Sequence, residues 1–155
     1  MQAHEWALIG VVIGGILGLA NQLFLSWLNN KRVRAHNASI LYYDLDSIMR
    51  YTVNILSVPI DVKSHPNIRY DDKWQERIAN CTFIKDEHVR FLYELYDAVY
   101  DFNFAFKAQP TLLNTRKQHL RDVMVRGITD FNDVINLLDR KRKRQPQSGI
   151  DLGRV

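Results

Sequence analysis

The fold of this chain is decided by residues 6–28, WALIGVVIGGILGLANQLFLSWL, which contain no charged side chain. As an α-helix this stretch would extend about 34 Å, at a rise of about 1.5 Å per residue. The hydrocarbon core of a bilayer is about 30 Å thick. About half of the residues are Leu, Ile, Val or Phe, and each favours insertion by about 0.3–0.6 kcal/mol near the bilayer centre. The stretch therefore predicts a transmembrane helix at residues 1–30.

The charges that flank this stretch predict its orientation. Glu5 precedes it, whereas the segment NKRVR at 30–34 follows it. Because cytoplasmic flanks carry an excess of Lys and Arg, the N-terminus is expected outside and the rest of the chain in the cytoplasm. A cleavable signal peptide has a basic start and a shorter apolar region. We therefore expect an uncleaved, single-pass anchor.

The charge of the chain is concentrated at two edges. The whole chain carries +4, but residues 37–139 contain 12 Lys or Arg against 15 Asp or Glu, which is 12 − 15 = −3. This balance disfavours a general nucleic-acid-binding surface. The RKRKR run at 140–144 has three interpretations, which are complementing a helix dipole, contacting anionic lipid and binding nucleic acid. The residues predicted to set topology or contact lipid are Lys31, Arg32, Arg34, Arg140, Lys141, Arg142, Lys143 and Arg144.

One face of the predicted membrane helix carries small and then polar residues. Gly10, Gly14 and Gly18 recur every four residues, and Gln22 continues the same stripe with Asn21 beside it. Glycine lets helix backbones approach closely in a bilayer, and Asn or Gln can hydrogen-bond across the contact. The pattern predicts a homo-oligomer. The alternatives are that glycine is simply frequent in membrane helices and that the polar pair lies among the lipid headgroups.

The remaining sequence predicts an all-α protein, with a small antiparallel helical bundle after the anchor. The 31–36 segment is expected as a basic juxtamembrane segment, 37–143 as a cytoplasmic bundle and 144–155 as a disordered tail. No Gly or Pro separates the anchor from the next helix, so the two can form one continuous rod, interrupted only at the Asn29 and Asn30 pair. The other predicted helices are Val33–Ser57, Asp72–Cys81 with Asp72 as its cap, Lys85–Lys107 and Thr111–Lys143, with a loop at 58–71.

Three of these helices have apolar seams with three- and four-residue spacing. The first seam contains Leu41, Leu45, Ile48, Thr52 and Ile55. The third predicted helix has a bulky seam of Val89, Leu92, Tyr96, Val99, Asn103 and Phe106, widened by Phe91, Leu95 and Phe102. The last has Leu113, Leu120, Met124, Ile128, Phe131, Ile135 and Leu138. Gly127 inside this helix indicates either close packing or a local bend.

The sequence predicts no catalytic, cofactor-binding or metal-binding residues and no cofactor. It contains no phosphate-binding GxxxxGK[ST] loop, no GxGxxG, no HExxH and no paired CxxC. Cys81, the sole cysteine, is expected to be buried, although a meeting with His88 is an alternative. The Arg–His spacing typical of helical defence ribonucleases is absent, which weakens a membrane-tethered nuclease or hydrolase.

Polar and acidic residues of the third predicted helix have simple structural interpretations. Asn103 with Tyr93, Tyr96 and Tyr100 is expected to form hydrogen-bonded core groups rather than a ligand site. Three carboxylates share the outward side, where we expect a solvated acidic face; the alternative is a surface for a basic partner. These are Glu94, Asp97 and Asp101.

The chain resembles a loose group of small single-pass proteins of bacteria and their phages. The resemblance covers residues 6–107 and depends on the uncharged start, the glycine-rich anchor and the NKRVR stop. It also includes Trp74, Tyr96 and Asn103 within DKWQERIANCTFIKDEHVRFLYELYDAVYDFN at 72–103. It implies the architecture only and brings no catalytic residues. The anchor itself is expected to lie in the bacterial inner membrane.

Two functional hypotheses follow. The first is a non-enzymatic, membrane-anchored interaction module that self-associates through its transmembrane helix and binds a further protein. The second is an oligomeric pore-forming or membrane-disturbing effector of a phage exclusion or defence system, which the polar pair in the membrane helix suggests. Expected partners are the lipid bilayer, a second copy of the chain and a protein, rather than nucleic acid.

Overall fold

The structure, a computed structural model, describes residues 3–57 and 67–142, with side chains from residue 12 onward. Helices contain 88% of the described residues and none of these residues lies in a strand, so the all-α prediction is confirmed. The helices are α1 Ala3–Ser57, α2 Trp74–Asn80, α3 Asp86–Ala108, a 3-10 turn Pro110–Leu112, α4 Leu113–Arg126 and α5 Ile128–Lys141.

The chain divides into two compact units, residues 1–33 and residues 34–155. The first unit contains the N-terminal part of α1, and the second contains the rest of α1 and the other helices. The predicted tail at 144–155 and most of the predicted loop, residues 58–66, lie outside the described residues.

Helix α1 continues through Asn29 and Asn30, so the expected interruption is wrong. Asparagine is a moderate helix former whose cost is only a fraction of 1 kcal/mol relative to alanine, and neither Gly nor Pro accompanies the pair. The predicted seam in the second unit is confirmed. All five of its side chains are at most 3% exposed: Leu41, Leu45, Ile48, Thr52 and Ile55.

The start of α2 differs from the prediction. Asp72 does not cap the helix; Lys73 occupies the cap position and makes no side-chain cap bond. Asp71 instead accepts the backbone hydrogen bonds at the start of α2. Its backbone carbonyl accepts the Trp74 N–H (3.0 Å) and its carboxylate accepts the Lys73 N–H (3.1 Å). The side chains of Trp74 and Ile78 are buried as expected.

The predicted last helix is two helices, because the chain leaves α-helical geometry at Gly127. A Cβ atom built on Gly127 would lie 2.0 Å from Cε2 of Phe91, so the α3 ring packs directly on this backbone. The predicted close packing and the predicted bend therefore occur together.

The buried seam keeps three- and four-residue spacing across α4 and α5, but it contains other residues than predicted. Val123 and Val134 are buried although they were not predicted to be in the seam. Ile128 is exposed and Ile135 is half-buried, which corrects both assignments. The buried side chains of α4 and α5 are Leu113, Leu120, Val123, Met124, Phe131, Val134 and Leu138.

Helix α3 supplies the largest share of the buried side chains of the second unit. Its Phe91, Leu92, Leu95, Tyr96 and Val99 are at most 7% exposed. Two ion pairs join it to α4, Glu94 with Arg126 and Asp101 with Arg116. The later residue of α3, Asp101, pairs with the earlier residue of α4, Arg116.

Candidate functional site

The apolar surface of the first unit is exposed. The large apolar side chains between Val12 and Trp27 are 52% to 71% exposed, and the most apolar window of α1 is not buried at all. By length and composition this helix could span a membrane, although a signal sequence or a core helix of a soluble protein meets the same test.

The residues predicted to mediate self-association lie on this exposed helix. A Cβ atom added at Gly14 or Gly18 would meet no atom within 4 Å, and Asn21 and Gln22 are exposed. Gly10 lies in α1, but its surroundings fall outside the described side chains. The face is therefore open, and association with a second copy stays a prediction.

The predicted topology and lipid-contact cations fall into three groups. Lys31, Arg32 and Arg34 are exposed, and Nζ of Lys31 lies 5.3 Å from the centre of the Trp27 ring. Arg140 and Lys141 at the end of α5 are also exposed. Lys143 and Arg144 lie outside the described residues.

Arg142 has a structural environment of its own. Its guanidinium donates to Asp139 Oδ1 (2.7 Å from Nε) and lies 3.8 Å from the centre of the Tyr42 ring. The Asp139 carboxylate raises the pKa of Arg142 against the effect of desolvation. These contacts hold the end of α5 against α1 within the second unit.

A partly buried polar network joins α1 to the segment before α2 and to α3. The Tyr96 hydroxyl donates to Asp44 Oδ2 (2.5 Å), and the Asp71 N–H donates to Asp44 Oδ1 (3.0 Å). Arg77 donates from Nε to Asp71 Oδ2 (3.0 Å) and from a terminal nitrogen to Asn37 Oδ1 (2.9 Å). The network therefore connects residues that lie up to 52 positions apart.

The two carboxyl groups of this network have opposite pKa shifts. Burial raises the pKa of Asp44, although hydrogen bonds from Tyr96 and Asp71 lower it in part. The hydrogen bond from Arg77 lowers the pKa of Asp71. Burial also raises the pKa of Tyr96 well above its ordinary value, and the nearby Asp44 carboxylate adds to this shift. Tyr96 is therefore a neutral hydrogen-bond donor at physiological pH.

The aromatic residues of α3 divide into buried and exposed members. Tyr96 stacks on Trp74, with ring centres 4.4 Å apart and planes 3° apart, so its assignment to the hydrogen-bonded core is confirmed. Tyr93 and Tyr100 are exposed, and the same assignment is wrong for both. They lie seven positions apart and so share one line along α3, at the solvent-facing edge of the face that carries Tyr96 and Asn103.

Asn103 is hydrogen-bonded as predicted. Its amide accepts the Ile68 N–H (3.0 Å) and donates to the Ile68 carbonyl (2.8 Å). One side chain thereby pairs both backbone groups of a residue in the extended segment before α2. Of the predicted acidic face, Glu94 and Asp101 form ion pairs with α4, and Asp97 is exposed.

Cys81 and His88, the thiol and imidazole that a hydrolase would need, are both buried. Cys81 is 1% exposed, and burial raises the pKa of its thiol to about 11, so the thiol is protonated at neutral pH. His88 is also buried, and its Nδ1 lies 3.0 Å from Oδ1 of Asp130 at the start of α5. Within the described ranges no cluster of three His, Cys, Asp or Glu side chains has the geometry to hold a metal.

The sequence reasoning did not identify Asp44, Asp71, Arg77 and Asn37 as a set. A signal was available in the position of Asp44 and Asn37, because both lie next to the buried face of α1, where a charged or amide side chain needs a partner. The identity of the partners could not be read from spacing.

Comparison with protein families, curated proteins and solved structures finds no match for this chain.

Proposed function

We propose that this protein is a non-enzymatic, membrane-anchored interaction module, with residues 6–28 as the anchor and a cytoplasmic antiparallel helical bundle as the binding part. The observation that carries the proposal is the exposure of every large apolar side chain between Val12 and Trp27. Exposing a continuous apolar helix surface to water is unfavourable in free energy. Placing the same surface among lipid acyl chains is favourable.

The residues at the end of this apolar surface support the same assignment. Trp27 is a residue type enriched at membrane–water interfaces, and the Lys31 ammonium lies over its ring. The cations at 31–34 favour a cytoplasmic location for everything after them. The proposed orientation in the bacterial inner membrane therefore has the N-terminus outside and the bundle inside.

Self-association through Gly10, Gly14 and Gly18 is part of the proposal. The open space at Gly14 and Gly18 supports it, because a second helix could approach this backbone without meeting a side chain of the first. The exposed amides of Asn21 and Gln22 would then donate and accept across the contact, which removes unpaired polar groups from the bilayer.

Binding rather than turnover is proposed for the cytoplasmic bundle. The protonated buried thiol of Cys81 and the engagement of His88 with Asp130 support this choice. Val125 and Ile128 flank the bend between α4 and α5 and are 65% and 43% exposed, which offers an apolar surface to a protein partner.

Membrane fractionation with single-cysteine labelling tests the anchor and its orientation. The full chain is expected in the membrane pellet after alkaline carbonate extraction. In spheroplasts, Gln2→Cys should react with a membrane-impermeant maleimide and Asn30→Cys only after lysis, with the buried Cys81 as a low background. Recovery of the chain in the supernatant, or labelling of Asn30→Cys before lysis, would contradict the proposal.

Crosslinking in native membranes tests the glycine face. Gly14→Ile with Gly18→Ile should lower the yield of crosslinked oligomer without releasing the protein from the pellet. Leu19→Ile with Leu23→Ile, on the side of the helix away from the glycine face, is the matched control and should crosslink like wild type. Unchanged crosslinking of the glycine variant would reject this face.

Photo-crosslinking tests the protein partner. A photoreactive residue at Val125 should give a discrete crosslinked product with another protein, whereas one at Glu76, exposed on α2, should not. Equal products from both positions would show non-specific proximity and contradict a defined surface.

The second candidate is an oligomeric pore-forming or membrane-disturbing effector, which the exposed Asn21 and Gln22 favour. Dye uptake by expressing cells separates the two functions. Cells that stay impermeable at high expression would reject the pore. Permeabilisation that is lost in Gly14→Leu would reject the passive module.

A further inference from the structure

A cleft of about 440 Å³ lies in the second unit, between the extended segment before α2 and the C-terminal half of α3. Helix α3 supplies Tyr100, Asn103, Phe104 and Lys107, which follow the spacing of one helix face. The double hydrogen bond between Asn103 and Ile68 holds the two walls together. The volume is within the range of small-molecule sites, which is about 300–1,000 Å³.

An unsatisfied hydrogen-bond acceptor borders this cleft. Oδ1 of Asn67 is buried and has no hydrogen-bond partner among the residues that the structure describes. Buried polar atoms in native proteins almost always have a partner, so this oxygen calls for a donor that the described residues do not supply. A ligand N–H or O–H group, or a water held with the ligand, would satisfy it.

The rim of the cleft carries more positive than negative charge. Arg69 and Lys107 are exposed, and neither forms an ion pair within the described part of the chain. Asp72 is the one acidic residue among the described lining residues, which leaves a net charge of one positive unit. By contrast, Glu94 and Asp101 on the same helix are paired with arginines. The unpaired cations favour an anionic group on the ligand.

The wall formed by α3 is aromatic and exposed. The Tyr100 and Phe104 side chains are 57% and 47% exposed, and their rings are nearly parallel, with centres 6.4 Å apart and planes 15° apart. Exposed ring faces stack favourably on a planar ring in a ligand. This surface and the rim cations lie on the same cleft, so one molecule of modest size can contact both.

From these observations we infer that the cleft binds a small aromatic or heteroaromatic molecule that carries a carboxylate or a phosphate. The ring lies against Tyr100 and Phe104, and the anionic group lies between Arg69 and Lys107. A donor on the ligand reaches Asn67. This activity is independent of the membrane role and of self-association, since all of the residues involved belong to the second unit.

Calorimetric titration of the full chain in nonionic micelles tests the inference, with protein-free micelles as the blank. AMP represents aromatic phosphates and indole-3-acetate represents aromatic carboxylates. Saturable binding of at least one of them, with a Kd of about 1 mM or tighter, is expected. Inorganic phosphate and neutral indole lack one of the two required groups and should bind at least about tenfold more weakly.

Variants place the binding in the cleft. Lys107→Gln and Phe104→Ala should each weaken binding of the positive probe at least about tenfold. Arg90→Gln and Tyr93→Ala remove the same kinds of side chain from α3 outside the cleft and should bind like wild type. If Phe104→Ala makes Cys81 reactive towards maleimide, and has therefore lost its fold, Phe104→Leu replaces it because it removes the ring and keeps the apolar volume.

Three results would overturn the inference. They are the absence of saturable binding of both anionic aromatic probes, binding of inorganic phosphate or indole as tight as that of the positive probe, and binding insensitive to Lys107→Gln and Phe104→Ala. A failure of membrane fractionation or crosslinking would leave the cleft unaffected, so the two proposals fail separately.

Discussion

At the scale of single residues, Asp44 carries the most demanding environment in the second unit. Its carboxylate is desolvated, which raises its pKa, yet it accepts hydrogen bonds from Tyr96 and from the Asp71 backbone. A buried acceptor of this kind contributes modestly when paired, but its removal leaves its donors without partners. Asp44 therefore specifies how the segment before α2 and helix α3 meet α1.

Asp44→Ala should lower the free energy of unfolding of the second unit by about 3 kcal/mol, because the buried Tyr96 hydroxyl and the Asp71 N–H lose their acceptor. The measurement is urea unfolding of the full chain in micelles, with Cys81 reactivity as the readout. Asp46→Ala removes a surface ion pair with Arg50 on the same helix and should cost at most about 1 kcal/mol. Equal losses in the two variants would contradict the role of Asp44.

Cys81 gives a prediction with a defined pH dependence. Burial raises its pKa from 9.0 to about 11, so its thiolate fraction at pH 7.5 is about 100-fold lower than in the unfolded chain. In native membranes its maleimide reactivity should rise about tenfold per pH unit up to about pH 11. In urea the maleimide reactivity of Cys81 should stop rising near the ordinary thiol pKa of 9.0.

Ser57→Cys in a Cys81→Ser background is the control for this profile, since Ser57 is exposed. Its reactivity should follow the ordinary thiol profile in the folded protein. A plateau near pH 9 for Cys81 in native membranes would show that the thiol is not held in an apolar environment.

At the scale of elements, the break between α4 and α5 is set by packing rather than by a strong helix terminator. Gly127 is the position where the Phe91 ring reaches the backbone, and a Cβ atom there would overlap this ring. Close to the break, Oδ1 of Asp130 in the first turn of α5 lies 3.0 Å from Nδ1 of His88 at the start of α3. Helix α3 therefore contacts the last two helices on both sides of Gly127.

Gly127→Ala should destabilise the second unit by about 1–3 kcal/mol, because overlap with Phe91 outweighs the better helix propensity of alanine. Phe91→Leu should partly rescue it, so that the double variant loses less stability than the sum of the single losses. Urea unfolding measured as above checks this coupling. Additive losses would contradict the role of the Phe91 contact in the effect of Gly127→Ala.

At the scale of the whole molecule, two units with different surfaces share one helix. The first unit has an exposed apolar surface, whereas the second buries its own core. In the proposed membrane protein, the cations at 31–34 follow the anchor in the sequence and would favour the cytoplasmic side for the second unit. The proposed orientation therefore rests on few charges and not on the fold of the bundle.

Reversing the charge bias should invert part of the population. Lys31→Gln, Arg32→Gln and Arg34→Gln combined with Gln2→Lys and Glu5→Lys should make a Ser148→Cys reporter reactive to impermeant maleimide in spheroplasts. The same reporter with native charges should react only after lysis. Protection of the reporter in both proteins would show that these charges do not set the orientation.

The sequence by itself determined the helical class, the apolar N-terminal helix and most of the buried seams. Those features depend on spacing within one helix and on the transfer of side chains out of water, which are local properties. The same local pattern predicted one helix from Thr111 to Lys143, since Gly127 alone costs a helix only about 1 kcal/mol.

Tertiary structure decided what local spacing does not contain. The break at Gly127 depends on Phe91, the burial of Asp44 on Tyr96, and the cleft on the pairing of Asn103 with Ile68. Each contact joins residues 35 or more positions apart in sequence. Periodicity shows that a side chain is turned inward, but the identity of its neighbour is set only when the helices pack, because many partners satisfy the same period.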